Sequence, residues 1–160
     1  SNKIYNNINP LIPSVFLILV LTQIVIGAFV SGMDAGKIYN SWPLMGNTFF
    51  PNDNNPVNLL KLSVFSDPSL VQFIHRNLAY LIFVFYLVLL VKIYINKITK
   101  LYFAINLLGL FLLIQILLGI YTLLNGAQIF LASMHQISSI FLVSSSIYFL
   151  YLNVNRQLSS

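Results

Sequence analysis

VQFIHRNLAYLIF, residues 71–83, decides how this chain is read. The stretch is apolar enough to cross a membrane, yet His75 and Arg76 stand side by side near its start. An ionisable group in hydrocarbon costs roughly 2.5–3.5 kcal/mol on insertion scales, so the pair requires compensating partners. The chain has two histidines in all, and the second, His135, lies in a similar setting, SMHQISSIFLV (133–143).

Composition fixes the class. The 160 residues are 58% hydrophobic and 7% charged, with a mean hydropathy of +0.86. A soluble domain carries about a quarter charged residues to cover its surface, so this is an integral membrane protein. The net charge of +5 could suggest a nucleic-acid partner, but the basic residues form no patch and are read as a topology signal instead. With no cysteine there is no disulfide, thiolate metal site or thiol nucleophile.

A helix crossing the hydrocarbon needs about 20 mostly apolar residues. Four stretches qualify, at about 13–32, 70–95, 101–124 and 129–152. Pro10 and Pro13 suit the start of the first, Asp67-Pro68 caps the second, and Asn125-Gly126 marks a turn before the fourth. The predicted fold is an all-α, antiparallel four-helix transmembrane bundle. The link 96–100 is tight and basic, whereas 33–69 is a long outer loop in which VNLLKLSVF (57–65) either lies on the bilayer surface or covers a pocket. The side with both termini and the 96–100 link carries Lys3, Lys92, Lys97, Lys100 and Arg156 and no acid. On the other side, Lys37, Lys61 and Arg76 are offset by Asp34, Asp53 and Asp67. Both termini are therefore expected in the cytoplasm of a bacterial cell, or in the matrix for a mitochondrial inner membrane.

The bundle reads as one helix pair used twice. QIVIGAF (23–29) in the first span matches QILLGIY (115–121) in the third, and the second and fourth spans each carry one histidine near the outer end. At 1.5 Å per residue both histidines lie roughly 7–9 Å below the outer boundary, level with Gly27 and Gly119. Ser138, Ser139, Ser145 and Ser146 add small residues to the fourth span. Opposed imidazoles with clearance between them suit a haem iron held on both axial faces by His75 and His135. Gly27 and Gly119 would make room for the macrocycle. Arg76, and less directly Lys37, would meet propionates near the outer surface.

Plainer readings of the same residues stand beside this one. A membrane histidine can serve as an interhelical hydrogen-bond partner, Arg76 as a snorkelling anchor and the glycines as packing positions. Tyr39 and Trp42 read most simply as interfacial aromatics. Gln23 and Gln115 either pair with each other across the bundle or line the pocket. Two histidines without further Cys or carboxylate ligands do not suit zinc. Rival functions are a cofactor-free assembly or scaffold subunit, or a small proton-pathway protein using His75, Arg76 and Asp34. The polar groups crowd one end, away from the midplane where transport sites usually lie.

GAFVSGMDAGKIYNSWPLM (27–45), VQFIHRNLAYLIF (71–83) and SMHQISSIFL (133–142) together resemble the carboxy-terminal half of CtaA-type haem A synthases, in the cytochrome c oxidase assembly protein family. The resemblance covers about residues 20–145. It implies an eight-helix enzyme of two similar four-helix halves, of which this chain is one, as a fragment or a split-gene product. Such an enzyme oxidises the C8 methyl of haem O to the formyl group of haem A. The resemblance further implies that His75 and His135 hold a haem b cofactor, while the substrate haem belongs to the amino-terminal half. That other half carries a glutamate one turn before its first histidine; here the position is Gln72, and the chain has no glutamate at all. Membrane lipid, the missing half, and haem O synthase or a second copy are the partners the resemblance suggests.

Overall fold

The computed structural model describes residues 7–155, so Lys3 and Arg156 of the charge argument lie outside the described residues. Four helices cross the molecule: α1 (Leu11–Gly32), α2 (Pro68–Ile95), α3 (Tyr102–Leu124) and α4 (Ile129–Val154). All four are long and apolar enough to cross a membrane, and the described residues contain no strand. The fold is the expected four-helix membrane bundle.

Local chemistry sets the helix ends. Asp67 caps α2 by accepting from the Leu70 N–H at 3.0 Å, with Pro68 in the first turn where its missing N–H is harmless. Between α3 and α4, Gly126 takes φ +68°, a left-handed conformation natural to glycine, and the Ala127 N–H returns to the Thr122 carbonyl at 2.9 Å. A short 3-10 turn, Thr99–Leu101, leads from the basic link into α3.

Each helix packs against its neighbour in sequence, and α1 closes the ring against α4. Consequently α2 and α4, the histidine-bearing helices, are diagonal to one another. The closely packed core occupies the half of the bundle nearest the described chain ends. There Phe16 and Val20, Ile82, Tyr86 and Leu89, Leu101, Ile105 and Leu108, and Phe149 interlock. Gly109 admits the Tyr86 ring, because a Cβ there would stand 1.9 Å from the phenol oxygen. The core stops at Val20, Ile82, Leu112 and Leu142. One to two turns further toward the loop end, His75, His135, Gln23 and Gln115 are only half-buried.

At the opposite end from the loop, Asn153 is 1% exposed and grips the backbone of Ile8. Its Nδ2 donates to the Ile8 carbonyl at 2.8 Å, and its Oδ1 accepts from the Ile8 N–H at 2.9 Å. This clasp ties the segment before α1 to the end of α4. Asn153→Ala leaves both Ile8 backbone groups unpaired and is expected to cost about 1–3 kcal/mol. Thermal unfolding in detergent reads this as a lowered midpoint; an unchanged midpoint would show that the clasp contributes nothing.

Candidate functional site

The Gln-Ile-x-x-Gly motif works within each hairpin. Four residues is close to one helical turn, so Gln23 and Gly27 share one face of α1, and Gln115 and Gly119 one face of α3. Each face receives the histidine of the next helix. Gln23 Nε2 donates to the His75 carbonyl at 2.9 Å and lies 3.3 Å from His75 Nε2. Gln115 Nε2 donates to the His135 carbonyl at 3.0 Å and lies 3.5 Å from His135 Nε2. The glycine of each motif stands against Cε1 of the ring. A Cβ on Gly27 would come 3.2 Å from His75 Cε1, and one on Gly119 would come 3.0 Å from His135 Cε1. Each imidazole thus packs against a carboxamide and a bare Cα. The two glutamines do not pair with each other, which excludes one of the two readings open in the sequence.

Across the bundle, the two imidazole centroids are 6.5 Å apart with ring planes at 83°. A metal–imidazole bond of about 2.0–2.1 Å, with each nitrogen about 1.1 Å from its ring centre, gives a centroid separation of about 6.3 Å for one shared ion. The spacing fits. On each ring Nδ1 is buried without any hydrogen-bond partner, which leaves an uncommitted polar atom in an apolar interior. Among the described residues no group of three or more His, Cys, Asp or Glu converges. The donor set is therefore two imidazoles, which suits a metal whose remaining ligands come with it, as in haem.

Arg76 lies at the loop end of α2 and is engaged by the loop backbone. It is 9% exposed, and Nη1 donates to the Ser41 and Leu44 carbonyls at 2.8 and 3.3 Å. Nη2 donates to the Tyr39 carbonyl at 2.9 Å. One turn earlier, Gln72 Nε2 reaches the same carbonyl at 3.0 Å. Two α2 side chains thereby bind the backbone of 39–44 across the loop end of the bundle. Asn40 continues the strap to α3, donating to the Leu123 carbonyl at 3.0 Å. Lys37 pairs with Asp34 at 2.8 Å on the exposed surface.

Residues 35–45 cover the loop end, with Ala35 and Met45 buried there. Within residues 57–65, Leu60 and Leu62 are 89% and 92% exposed, whereas Val64 is buried at 5%. Nearby, Phe65 packs on Phe29 at the loop end of α1, with centroids 5.7 Å apart. The loop is fastened a second time at Asp53, which accepts from Tyr39 Oη at 2.9 Å and from Ser69 Oγ at 2.6 Å. Partial burial pushes the Asp53 carboxyl up, but the hydrogen bonds from Ser69 and Tyr39 outweigh it and hold the group below the usual carboxylate range. Burial and the nearby Asp53 push the Tyr39 phenol up.

An all-helical membrane bundle with a duplicated histidine hairpin and a strapped long loop is the class that fold and site define. The family described as cytochrome oxidase assembly protein (COX15-CtaA) matches residues 8–147, and the chain belongs to this family. Among curated relatives, "Heme A synthase" of Pelagibacter ubique is 44% identical over 148 residues, covering 90% of this chain and 44% of the relative. "Heme A synthase" of Wolbachia pipientis wMel is 41% identical over 136 residues, covering 85% of this chain and 37% of the relative. "Heme A synthase" of Rickettsia felis is 44% identical over 139 residues, covering 84% and 40% respectively. The chain thus spans less than half the length of these relatives. No solved structure matches it.

Two substitutions test the loop fastening. Arg76→Gln removes the guanidinium from the 39–44 carbonyls and is expected to make the loop markedly more sensitive to limited proteolysis, while the helices persist by circular dichroism. For Asp53 the folded carboxyl titrates below its unfolded value of about 3.9. Its contribution is therefore complete above that value and lost as pH falls through the folded one. Protease protection at the loop should accordingly hold at neutral pH and weaken on acidification below the ordinary carboxylate range. Asp53→Asn should remove that dependence.

Proposed function

We propose that this chain is the cofactor-holding half of a haem A synthase. Such an enzyme oxidises the C8 methyl of haem O to a formyl group, giving haem A for cytochrome c oxidase. The observation that carries the reading is the 6.5 Å separation of two imidazoles in matching surroundings on diagonal helices. His75 and His135 would hold the iron of a haem b. So held by two imidazoles, that group would supply one-electron transfer rather than oxygen binding. Gly27 and Gly119 keep the imidazole edges clear, so that neither ring is pushed across the gap. Arg76 and Gln72 act at one remove, holding the 39–44 strap over the loop end and limiting water entry. Gln72 stands at the place where the other half of such an enzyme carries glutamate, which supports the cofactor role for this half. Haem O and haem A would be bound by an amino-terminal half of similar four-helix form, making eight helices in all.

The orientation proposed is cytoplasmic for the end bearing Lys92, Lys97 and Lys100, which has no acid among the described residues, and external for the loop end. The cysteine-free sequence makes this direct to test. A single cysteine replacing Asn47 should react with an impermeant maleimide added to intact cells, and one replacing Lys97 only after lysis. The reverse pattern would overturn the orientation.

Haem binding is tested by expressing the chain, purifying it in detergent and recording oxidised and reduced spectra. A Soret band with the low-spin signature of two nitrogenous axial ligands is expected. His75→Ala and His135→Ala should each lose that signature and most of the bound haem. Protein that purifies folded but without haem, or variants with unchanged spectra, would overturn the proposal in favour of a cofactor-free assembly subunit.

A further inference from the structure

We infer that residues 57–65 form a lipid anchor: Leu60 and Leu62 enter the boundary between headgroups and acyl chains at the loop end of the bundle, and the Lys61 ammonium meets lipid phosphate. This inference does not depend on haem.

The segment has a built shape. Two short 3-10 turns, Pro56–Leu60 and Leu62–Ser66, are joined through Lys61, whose backbone is extended at φ −99° and ψ 144°. Asn55 caps the first turn by accepting from the Val57 N–H at 3.0 Å. Asn58 Nδ2 donates to Asn54 Oδ1 at 3.2 Å, and Asn54 Nδ2 to Asp67 Oδ2 at 3.0 Å, which ties the turns to the cap of α2. Val64 is buried and Phe65 rests on Phe29. Between these fastened residues Val57, Leu60 and Leu62 are exposed, the two leucines almost wholly. Apolar side chains scattered singly over a surface need no cover, but three within six residues on hydrogen-bonded turns form a patch.

The level of the segment indicates what covers it. Phe29 lies three residues before the end of α1, about 4.5 Å along the axis. At about 33 Å this helix slightly exceeds the hydrocarbon thickness of about 30 Å. Phe29 therefore stands near the hydrocarbon boundary, and Phe65 stands level with it. Phe29 and Val25 are themselves exposed, so the apolar outer face of α1 continues through Phe65 onto the leucine turns. A protein partner suits the patch less well. Three aliphatic side chains fall well short of the about 800 Å² that each partner buries in a stable interface, and interface cores are depleted in lysine. At a membrane surface the same lysine is favourable, with its stem along the acyl boundary and its ammonium at phosphate level. Lys61 Nζ reaches Asn58 Oδ1 at 2.9 Å, and an ammonium has further N–H donors for a phosphate oxygen.

The test reconstitutes the chain in vesicles of phosphatidylcholine and phosphatidylglycerol. Because the sequence has no cysteine, single cysteines replacing Leu60 and Leu62 can each carry a nitroxide. Power saturation then compares collisions with oxygen, which concentrates among acyl chains, and with a nickel chelate, which stays in water. Oxygen is expected to dominate at both positions. Lys61→Glu should lower the oxygen-to-nickel ratio at residue 62 several-fold, and Lys61→Arg should keep it. Dominance of the nickel chelate at either position would overturn the anchor in favour of a water-exposed loop. Few collisions with both reagents would overturn it in favour of a protein cover, from a second copy or another subunit. An oxygen-dominated ratio that Lys61→Glu leaves unchanged would overturn the role given to Lys61.

Discussion

An imidazole inside a membrane must be given something to do, because water is absent and an unpartnered polar group in hydrocarbon costs several kcal/mol. Here each of two imidazoles is met by a glutamine carboxamide at Nε2 and by a glycine Cα at Cε1, while Nδ1 is left buried and unpaired. The rest of the bundle follows from satisfying this constraint twice. Glutamine and glycine must share a helical face, so they stand four residues apart. The histidine must come from the next helix at matching height, so the hairpin repeats as a unit. Two hairpins facing each other across a four-helix ring then bring the rings to 6.5 Å.

Stability and site are separated along the bundle axis. Between helices in lipid there is no hydrophobic driving force of the aqueous kind, and association rests on close packing and interhelical hydrogen bonds. The packing is concentrated toward the chain ends, around Phe16, Tyr86, Leu108 and Phe149, and is closed there by the Asn153 clasp. The half with the histidines has fewer fully buried apolar side chains, among them Met45, Leu70 and Val71, and is organised by polar contacts as well. A region with its own packed base can leave its upper part less filled without losing the relative placement of its helices. Arg76 belongs to this arrangement. Its guanidinium is matched to three main-chain carbonyls of the loop, an arrangement that a neutral or shorter side chain could not reproduce.

The family relationship and the geometry bear on different questions. Membership of the cytochrome oxidase assembly protein family concerns a polypeptide more than twice as long as the matched part, since less than half of each relative is covered. The geometry concerns only this bundle, and it is self-contained: both imidazoles, their glutamine and glycine neighbours and the strap come from the described residues. A holding role can therefore be argued from this chain's own residues, whereas an oxidation reaction draws on the relatives. The asymmetry between Ser138 and Leu78 gives otherwise duplicated hairpins different surroundings for their histidines.

Several features were legible in the residues before any coordinates. Four apolar stretches of spanning length, the Asp67-Pro68 cap, the Asn125-Gly126 turn and the matched QIxxG and histidine positions are local or periodic signals. They need only helix geometry and the thickness of a bilayer to be interpreted. The class of protein and the level of the histidines followed from them. What Gln23, Gln115 and Arg76 touch did not follow, because a long polar side chain can reach several partners from one backbone position. The sequence alone allowed Gln23 to meet Gln115, and allowed Arg76 to face outward. The ring order of the helices put α1 beside α2 and α3 beside α4, so each glutamine met a histidine of its own hairpin. The folding of 39–44 across α2 placed three carbonyls around Arg76. Those outcomes depend on which backbones lie within about a side-chain's length of each other, and only tertiary packing decides that.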